Sequence, residues 1–270
     1  MVLQLNRLNM DSSWKLSWGN LSMLIDPWLI GSEVDIAKWF NEQWHATKPV
    51  HPDDCGAYQL IAVTQSYSDH CHEMTLRALD EKVPIWVTPK AGKRLESEGF
   101  GPRLKAIPNW LEGPASEAGL ELGYLDPGRK MDPVYYAFVV ARDANAMVYA
   151  PHGFKLSDAQ MESLQDYEVE VLITTFMTYK LPALLGGMVN PGLGAAAELA
   201  NQLKPKHIIP THDEPKTAKG LVGRLARIRR PAAEEVSRYF EPAQSPDSAM
   251  GQKPFWLAAP DYSVLEFPGS

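Results

Sequence analysis

Histidine follows three apolar runs of the sequence, each time at the point where the run ends. Apolar runs of this length predict buried strands, and ligands bind beyond strand ends in mixed sheets. Imidazole with a neighbouring carboxylate is a usual ligand set for divalent zinc, iron or manganese. The residues concerned are Asp69 and His70 after residues 60–63, His152 after residues 148–150, and His212 after residues 208–210. Their positions indicate a functional site at one sheet edge, and a metal site, the remnant of one and a polar loop are the alternatives.

The elements that must position these residues follow from the hydrophobic pattern. Loose alternation around a Gly19-Asn20 turn predicts a hairpin over residues 14–25. Further strands are predicted at residues 60–63, 83–87, 134–140, 146–150, 169–174, 207–210 and, last, within 261–267, and helices at residues 35–44, 73–79, 89–97, 157–165, 194–203 and 217–228. Both halves of the chain mix strands with helices, which indicates an α/β (α+β) protein.

The length and composition are those of a folded globular protein. Of the 270 residues, 45% are hydrophobic and 22% are charged, so the chain can bury a large core in one domain or in two similar layers. Residues 231–270 form a proline-rich C-terminal segment that ends in the final predicted strand. The two cysteines belong to no CxxC pair, and this usage suits a reducing compartment.

The charge and hydropathy exclude several classes of partner. A net charge of −7 gives no general electrostatic reason to bind nucleic acid or an anionic membrane face. No window approaches the roughly 20 apolar residues of a membrane span, and the N-terminus lacks a secretion-signal pattern. We therefore expect a cytoplasmic protein that acts on a small molecule, with no nucleic-acid partner and no stable membrane insertion.

Four motifs resemble those of the metallo-β-lactamase superfamily. They are L-I-D-P-W-L at residues 24–29, T-Q-S-Y-S-D-H at 64–70, V-Y-A-P-H-G at 148–153 and I-I-P-T-H-D at 208–213. In particular they resemble the metal-dependent hydrolase branch that contains the ascorbate-phosphate lactonases and the N-acyl phosphatidylethanolamine phospholipase D. The resemblance implies a single domain over residues 1–270, folded as a four-layer αββα sandwich with metals at the edge between two sheets. Within it, Asp26 is interpreted as a turn residue that shapes this edge.

The first metal site of the family has lost its histidines here. Gln65 and Tyr67 replace the first two histidines of the family's HxHxDH loop, and no histidine lies between His72 and His152, where the third ligand is expected. We expect Gln65 and Tyr67 to plug the vacated cage or to contact substrate. For His72, a solvated loop position or a role supporting the ligands is considered, and Asp126 is a weaker candidate for the vacated cage.

The second metal site of the family retains a complete set of possible ligands. The resemblance places Asp69, His70, His152 and His212 at its four positions, with His152 where the family has a bridging aspartate. Histidine suits this position if the site holds a single metal, because there is then no second metal for a carboxylate to bridge. The interpretation is one divalent metal, zinc or alternatively iron or manganese, with Asp69 and Asp213 as catalytic residues. Asp213 would orient His212 or act as a general base.

Three functions are compatible with this degenerate motif. The first is a metal-dependent hydrolase that attacks an ester, lactone or phosphodiester bond with metal-activated water. The second is an inactive protein of the same fold that binds a ligand or another protein, and the third is a mononuclear iron redox protein. Residues 184–194, which are apolar and rich in glycine, are predicted to form a wall of the substrate pocket.

Overall fold

The computed structural model describes residues 1–128, 135–242 and 254–268. Its strands, in chain order, are β1 (Leu3–Arg7), β2 (Trp14–Trp18), β3 (Leu21–Ile25), β4 (Glu33–Asp35), β5 (Asn41–Trp44), β6 (Leu60–Val63), β7 (Ile85–Val87), β8 (Leu104–Ala106), β9 (Ala115–Glu117), β10 (Leu120–Leu125), β11 (Ala137–Arg142), β12 (Asn145–Ala150), β13 (Glu168–Thr175), β14 (Thr178–Lys180), β15 (Met188–Pro191), β16 (His207–Thr211), β17 (Thr217–Lys219), β18 (Arg227–Arg229), β19 (Glu241–Pro242), β20 (Phe255–Trp256) and β21 (Leu265–Phe267).

The helices are short and lie between the strands. They are α1 (Glu73–Ala78), α2 (Pro89–Ser97), α3 (Asp158–Leu164), α4 (Leu193–Leu203), α5 (Leu221–Leu225) and α6 (Ala233–Val236), with 3₁₀ turns at Pro52–Asp54, Gly101–Arg103, Trp110–Glu112 and Ala183–Leu185. None of the helices in the described parts of the chain has the length and apolar character to cross a bilayer.

Two large sheets dominate the described part of the molecule. One has the strand order β21-β1-β2-β3-β6-β7-β8, and the other has the order β19-β20-β16-β13-β12-β11-β10-β9. Strands β3, β6, β7 and β8 run parallel in the first sheet, as do β12, β13 and β16 in the second. Two small sheets, β15-β14-β18 and β17-β5-β4, complete the set.

The core lies in three layers that follow from the alternation of side chains along the strands. β1 and β2 each bury every second residue, so one face of their sheet packs against the other large sheet. This central layer includes Trp14 and Met23 from the first sheet and Phe138 and Ile173 from the second. A second layer lies between the eight-stranded sheet and helices α3, α4 and α6, and a third lies between the seven-stranded sheet and helices α1 and α2. The arrangement is the predicted αββα sandwich.

Two predicted helices are wrong. Residues 35–44 contain the end of β4 and the strand β5, because Ile36 adopts a left-handed backbone (φ 64°) and reverses the chain. Residues 217–228 divide into β17, α5 and β18 around Gly220, which has φ 94°. A Cβ at Gly220 would lie 2.7 Å from the Phe40 carbonyl oxygen, so this close approach requires glycine.

The other predicted elements are present, with shifts at their ends. The hairpin over 14–25 is β2–β3, and the helix predicted at 89–97 is α2. The predicted strand at 134–140 is observed as β11, and residue 134 itself lies outside the described residues. Within the proline-rich C-terminal segment, residues 243–253 and 269–270 also lie outside them. The segment before β11 contains a hairpin, β9–β10, which the sequence pattern did not predict.

Candidate metal centre

The carboxyl ends of parallel strands bring the predicted ligands to one edge of the sandwich. β6 ends at Val63 and leads into the loop that carries Asp69 and His70. In the facing sheet, His152 follows β12 and His212 follows β16. The sheets therefore meet at an edge where three loops converge, as in other α/β sites.

Three imidazoles point at one another in this edge. His70 Nε2 lies 3.0 Å from His152 Nε2 and 3.1 Å from His212 Nε2. All three side chains are buried, with 0%, 6% and 3% of their residue surfaces exposed, respectively. Two nitrogens bound to the same tetrahedral zinc at about 2.05 Å would be about 3.3 Å apart. The observed separations are close to that value, and the three residues form a group that could hold a metal ion.

An oxygen acceptor lies at the outer nitrogen of each ring. Asp26 Oδ2 lies 2.7 Å from His70 Nδ1, Asn190 Oδ1 lies 2.7 Å from His152 Nδ1, and Asp11 Oδ1 lies 3.2 Å from His212 Nδ1. Each Nδ1 therefore carries the proton that it donates, and the lone pair of the neutral ring is on Nε2. Three lone pairs directed at one point repel one another unless a cation lies among them. The donor set fits a divalent metal on this ground.

The surroundings of the rings shift the pKa values of His70 and His152 in opposite directions. Burial alone would lower the pKa of His70, but Asp69 and Asp26 together raise it above its usual value. Burial and the charges of His212 and His70 hold the pKa of His152 well below its usual range. His152 is therefore a neutral imidazole at physiological pH, which is the form that binds metals.

Asp69 lies beside the imidazoles. Its Oδ1 is 3.9 Å from His70 Nε2, and its side chain is 15% exposed, so it reaches the wall of the adjoining cavity. Burial would raise the pKa of Asp69, but His70, Lys216 and His212 lower it to about 2. The carboxylate is ionised at neutral pH, as a ligand must be.

Gln65 is bound to the backbone rather than directed at a metal. Its side-chain nitrogen donates to the Tyr136 carbonyl over 2.7 Å, and its side-chain oxygen accepts from the Tyr136 backbone N–H over 3.2 Å. The amide thus joins the loop after β6 to the residue before β11, and the expected plug is a link between the two sheets. Tyr67 lines the cavity, with its ring centroid 5.6 Å from that of Tyr135 and 6.4 Å from that of His152.

Three other expectations need correction. His72 is buried rather than solvated, and its bonds go to Thr75 and the Ser32 carbonyl rather than to the three imidazoles: it caps helix α1, its Nδ1 accepting the Thr75 backbone N–H. Asp126 accepts the Gly128 backbone N–H over 2.8 Å in a local turn and does not line the cavity. Asp213 points at Arg7, 3.1 Å away, and Asp11 rather than Asp213 orients His212.

Sequence reasoning missed the residues that support the imidazoles. Asp26 is more than a turn residue: it accepts hydrogen bonds from His70 and from the backbone and hydroxyl of Thr64, the last two at 2.6 Å each. Asp11 and Asn190 lie outside any strand-end histidine motif, so no spacing marked them. For Asp26 the available signal was its place in the L-I-D-P-W-L motif at residues 24–29. In the structure Asp26 (φ 47°) and His212 (φ 58°) both adopt left-handed backbone conformations that strain most residues.

A cavity of about 580 Å³ opens beside the imidazoles. Its apolar wall includes Leu185 and Val189 from the predicted glycine-rich segment, together with Met177 and Leu181. Its polar side includes Glu33 and Asp35, both of which accept a hydrogen bond from the Ser68 hydroxyl. Burial and the neighbouring Asp35 and Asp69 raise the pKa of Glu33 to about 8. The cavity therefore joins an apolar wall to a polar floor, which is the common character of small-molecule sites.

Comparison with known proteins connects this edge to a family. A family model described as the beta-lactamase superfamily domain matches residues 9–212. A metal-dependent hydrolase of Pyrococcus furiosus is 24% identical over 234 residues, covering 78% of this chain and 88% of the relative.

Solved structures share the fold. An isothiocyanate hydrolase from Delia radicum gut bacteria aligns with a TM-score of 0.68 and 17% identity, covering 98% of this chain and all of the other. Igni18, a metallo hydrolase of Ignicoccus hospitalis, aligns with a TM-score of 0.57 and 15% identity, covering 78% of this chain and 83% of the other. Because the family model matches residues 9–212, the protein belongs to the beta-lactamase superfamily, and these structures show that it has the metallo-β-lactamase fold.

Proposed function

We propose that this protein is a hydrolase that uses one divalent metal held by His70, His152 and His212, with Asp69 beside them. The observation that carries the proposal is the convergence of three buried Nε2 atoms whose Nδ1 atoms all face oxygen acceptors. The similarity to a metal-dependent hydrolase of P. furiosus supports the same activity class.

The loss of the family's first site supports a single metal. Both ends of the Gln65 amide are bonded to the Tyr136 backbone, which holds this side chain there rather than at the imidazoles. Tyr67 is a phenol, and burial raises its pKa, so it stays protonated and binds zinc poorly. These residues favour one metal over the two of the family pattern.

A bound divalent cation would polarise the scissile bond and lower the pKa of a water molecule toward neutrality. The chain supplies the rest of the site. Asp26, Asn190 and Asp11 hold the three rings in one orientation, and Asp69 lies where its carboxylate can orient a water or accept its proton. The tyrosines at 67, 135 and 179 line the same cavity and can donate to substrate oxygens.

The cavity supports a small ester, lactone or phosphodiester as substrate. Leu181, Leu185 and Val189 suit an apolar group, and Lys216 and Arg230 lie on the polar side, where a carbonyl or phosphoryl oxygen would be placed. The zinc ion is our first choice of metal because imidazole predominates among the ligands, and iron and manganese suit the same set.

Metal content tests the proposal directly. We expect protein purified without chelator to contain about one metal per chain by elemental mass spectrometry, and His70→Ala to contain almost none. His51→Ala is the matched control, because His51 is an exposed histidine bonded only near its own 3₁₀ turn, and this variant should keep its metal.

Activity assays follow from the same preparations. Lactones, aryl esters and phosphodiesters, each tested with zinc, iron and manganese, should include a substrate whose hydrolysis disappears in His70→Ala and survives in His51→Ala. Wild-type protein that binds no metal after soaking in all three ions would overturn the proposal and favour a ligand-binding protein on the same fold.

A further inference from the structure

A buried ammonium group lies on the side of His212 that faces away from the other two imidazoles. Lys216 Nζ is 2.9 Å from Asp11 Oδ2 and 3.7 Å from Asp69 Oδ2, and the Lys216 side chain is only 14% exposed. The Asp11 side chain is fully buried. Asp11, Asp69 and His212 form a second group that could hold a metal ion, distinct from the three-imidazole group but sharing His212 with it.

We propose that the Lys216 ammonium takes the place of a second cation in the cage formed by the carboxylates of Asp11 and Asp69 beside His212. This inference rests on the proposed metal centre and adds what limits it to a single ion. The cage is not the one vacated at Gln65 and Tyr67, because those side chains contact Tyr136 and Tyr135 instead.

The charges explain why a cation is needed at this position. The Asp11 carboxylate is fully buried and the Asp69 carboxylate is 15% exposed, and both contact the Lys216 ammonium. Two negative charges this close repel unless a positive charge lies between them, and burial makes that repulsion costly. Lys216 lies between them and also approaches the Trp28 ring, with Nζ 5.4 Å from its centroid. Because the charge is covalently attached to the chain, a second metal cannot displace it without leaving a buried ammonium unpaired.

The cage would persist without the lysine because the backbone holds its parts. The Asp11 carbonyl accepts the Thr211 hydroxyl over 2.6 Å and the His212 backbone N–H over 3.0 Å. The Asp11 N–H donates to Asn9, and the Asp69 carbonyl accepts from the Ser12 hydroxyl over 3.0 Å. These bonds tie the residue 9–12 segment to both histidine loops independently of Lys216.

Removal of the ammonium should convert the cage into a metal site. In Lys216→Met, which retains an unbranched side chain without charge, elemental mass spectrometry after equilibration with Zn²⁺ or Mn²⁺ should detect about one metal per chain more than in wild type. The Lys216→Met, Asp11→Asn double variant removes one carboxylate of the cage and also the acceptor at His212 Nδ1, so it should contain no more metal than wild type. Lys219→Met changes an exposed lysine nearby and should match wild type.

The difference between variant and wild type decides the inference. Equal metal content in Lys216→Met and wild type would overturn the inference about Lys216, whatever the wild-type value. A wild type without metal would contradict the proposed function and not this inference. For a Lys216→Met protein that does not fold in metal-free medium, expression with added Zn²⁺ provides the second measurement. Recovery of folded protein with zinc supports the cage, and recovery in neither medium overturns it.

Discussion

The two halves of the loop after β6 use similar polar residues for different purposes. In the second half, His70 directs Nε2 at two other imidazoles and gives Nδ1 to a buried carboxylate. In the first half, the Gln65 amide is spent on the Tyr136 backbone. Both side chains are buried and hydrogen-bonded, so burial alone does not separate a ligand from a structural residue.

The difference lies in which atom is left without a protein donor or acceptor of the matching kind. Every polar atom of the Gln65 amide has a backbone partner, whereas the Nε2 of His70 lies nearest to two other imidazole nitrogens, with the Asp69 carboxylate 3.9 Å away. A buried polar group must be satisfied, so the second case calls for a cation and the first does not. This distinction leads to three predictions, given from the largest expected effect to the smallest.

Of the three substitutions, Asp26→Asn should have the largest effect on stability and on metal binding by His70. Asparagine also tolerates the left-handed backbone at this position, so the substitution tests the carboxylate rather than the turn. The new amide N–H would face His70 Nδ1 and force that nitrogen to accept, which moves the ring proton to Nε2 and blocks metal binding. We expect a loss of about 3 kcal/mol in the free energy of unfolding, by analogy with other broken buried pairs, together with loss of metal.

Urea unfolding and metal analysis of the same preparation measure both effects. Asp53→Asn, at an exposed turn, is the control and should alter neither quantity. An Asp26→Asn protein with wild-type metal content would show that the carboxylate does not set the tautomer of His70.

Gln65→Ala should affect stability and leave the metal in place. The change removes both hydrogen bonds to Tyr136 and leaves its backbone N–H and carbonyl without those partners, at a cost of about 2 kcal/mol. Metal content should equal that of wild type because Gln65 is not a ligand. A fall in bound metal with unchanged stability would reverse the assignment and return Gln65 to the site.

His72→Ala should have the smallest effect of the three. The histidine caps α1 through Thr75, and loss of an N-cap costs about 1 kcal/mol. His72→Asn, which preserves a capping acceptor, should recover most of that stability in the same urea titration. Loss of metal in either variant would contradict the separation of His72 from the centre.

Sequence patterns predicted the convergence of three histidines better than the residues that orient them. His70, His152 and His212 each follow a short apolar strand, and strand ends must collect at a sheet edge, so their convergence could be expected. Asp11 and Asn190 lie 201 and 38 residues from the histidines they orient, respectively, and no local pattern connects them. Asp213, which adjoins His212 in sequence, turns instead toward Arg7.

Contacts between residues far apart in sequence also explain the two wrongly predicted helices. Residues 35–44 and 217–228 carry helical spacing, yet β5 pairs with β17 across the chain and Gly220 packs directly on the Phe40 carbonyl. Long-range strand pairing and a backbone contact override local propensity in both segments.

Residue types and their order along the chain determined the fold class, the family motifs and the three imidazoles, because strand periodicity and strand-end position are local properties. Only the tertiary structure decided which neighbours orient those imidazoles, where the amide of Gln65 is bound and which carboxylates pair with Lys216. Hydrogen bonds and charge pairing act between atoms a few ångströms apart, and the folded chain alone brings Asp11, Asp69 and Lys216 to that distance.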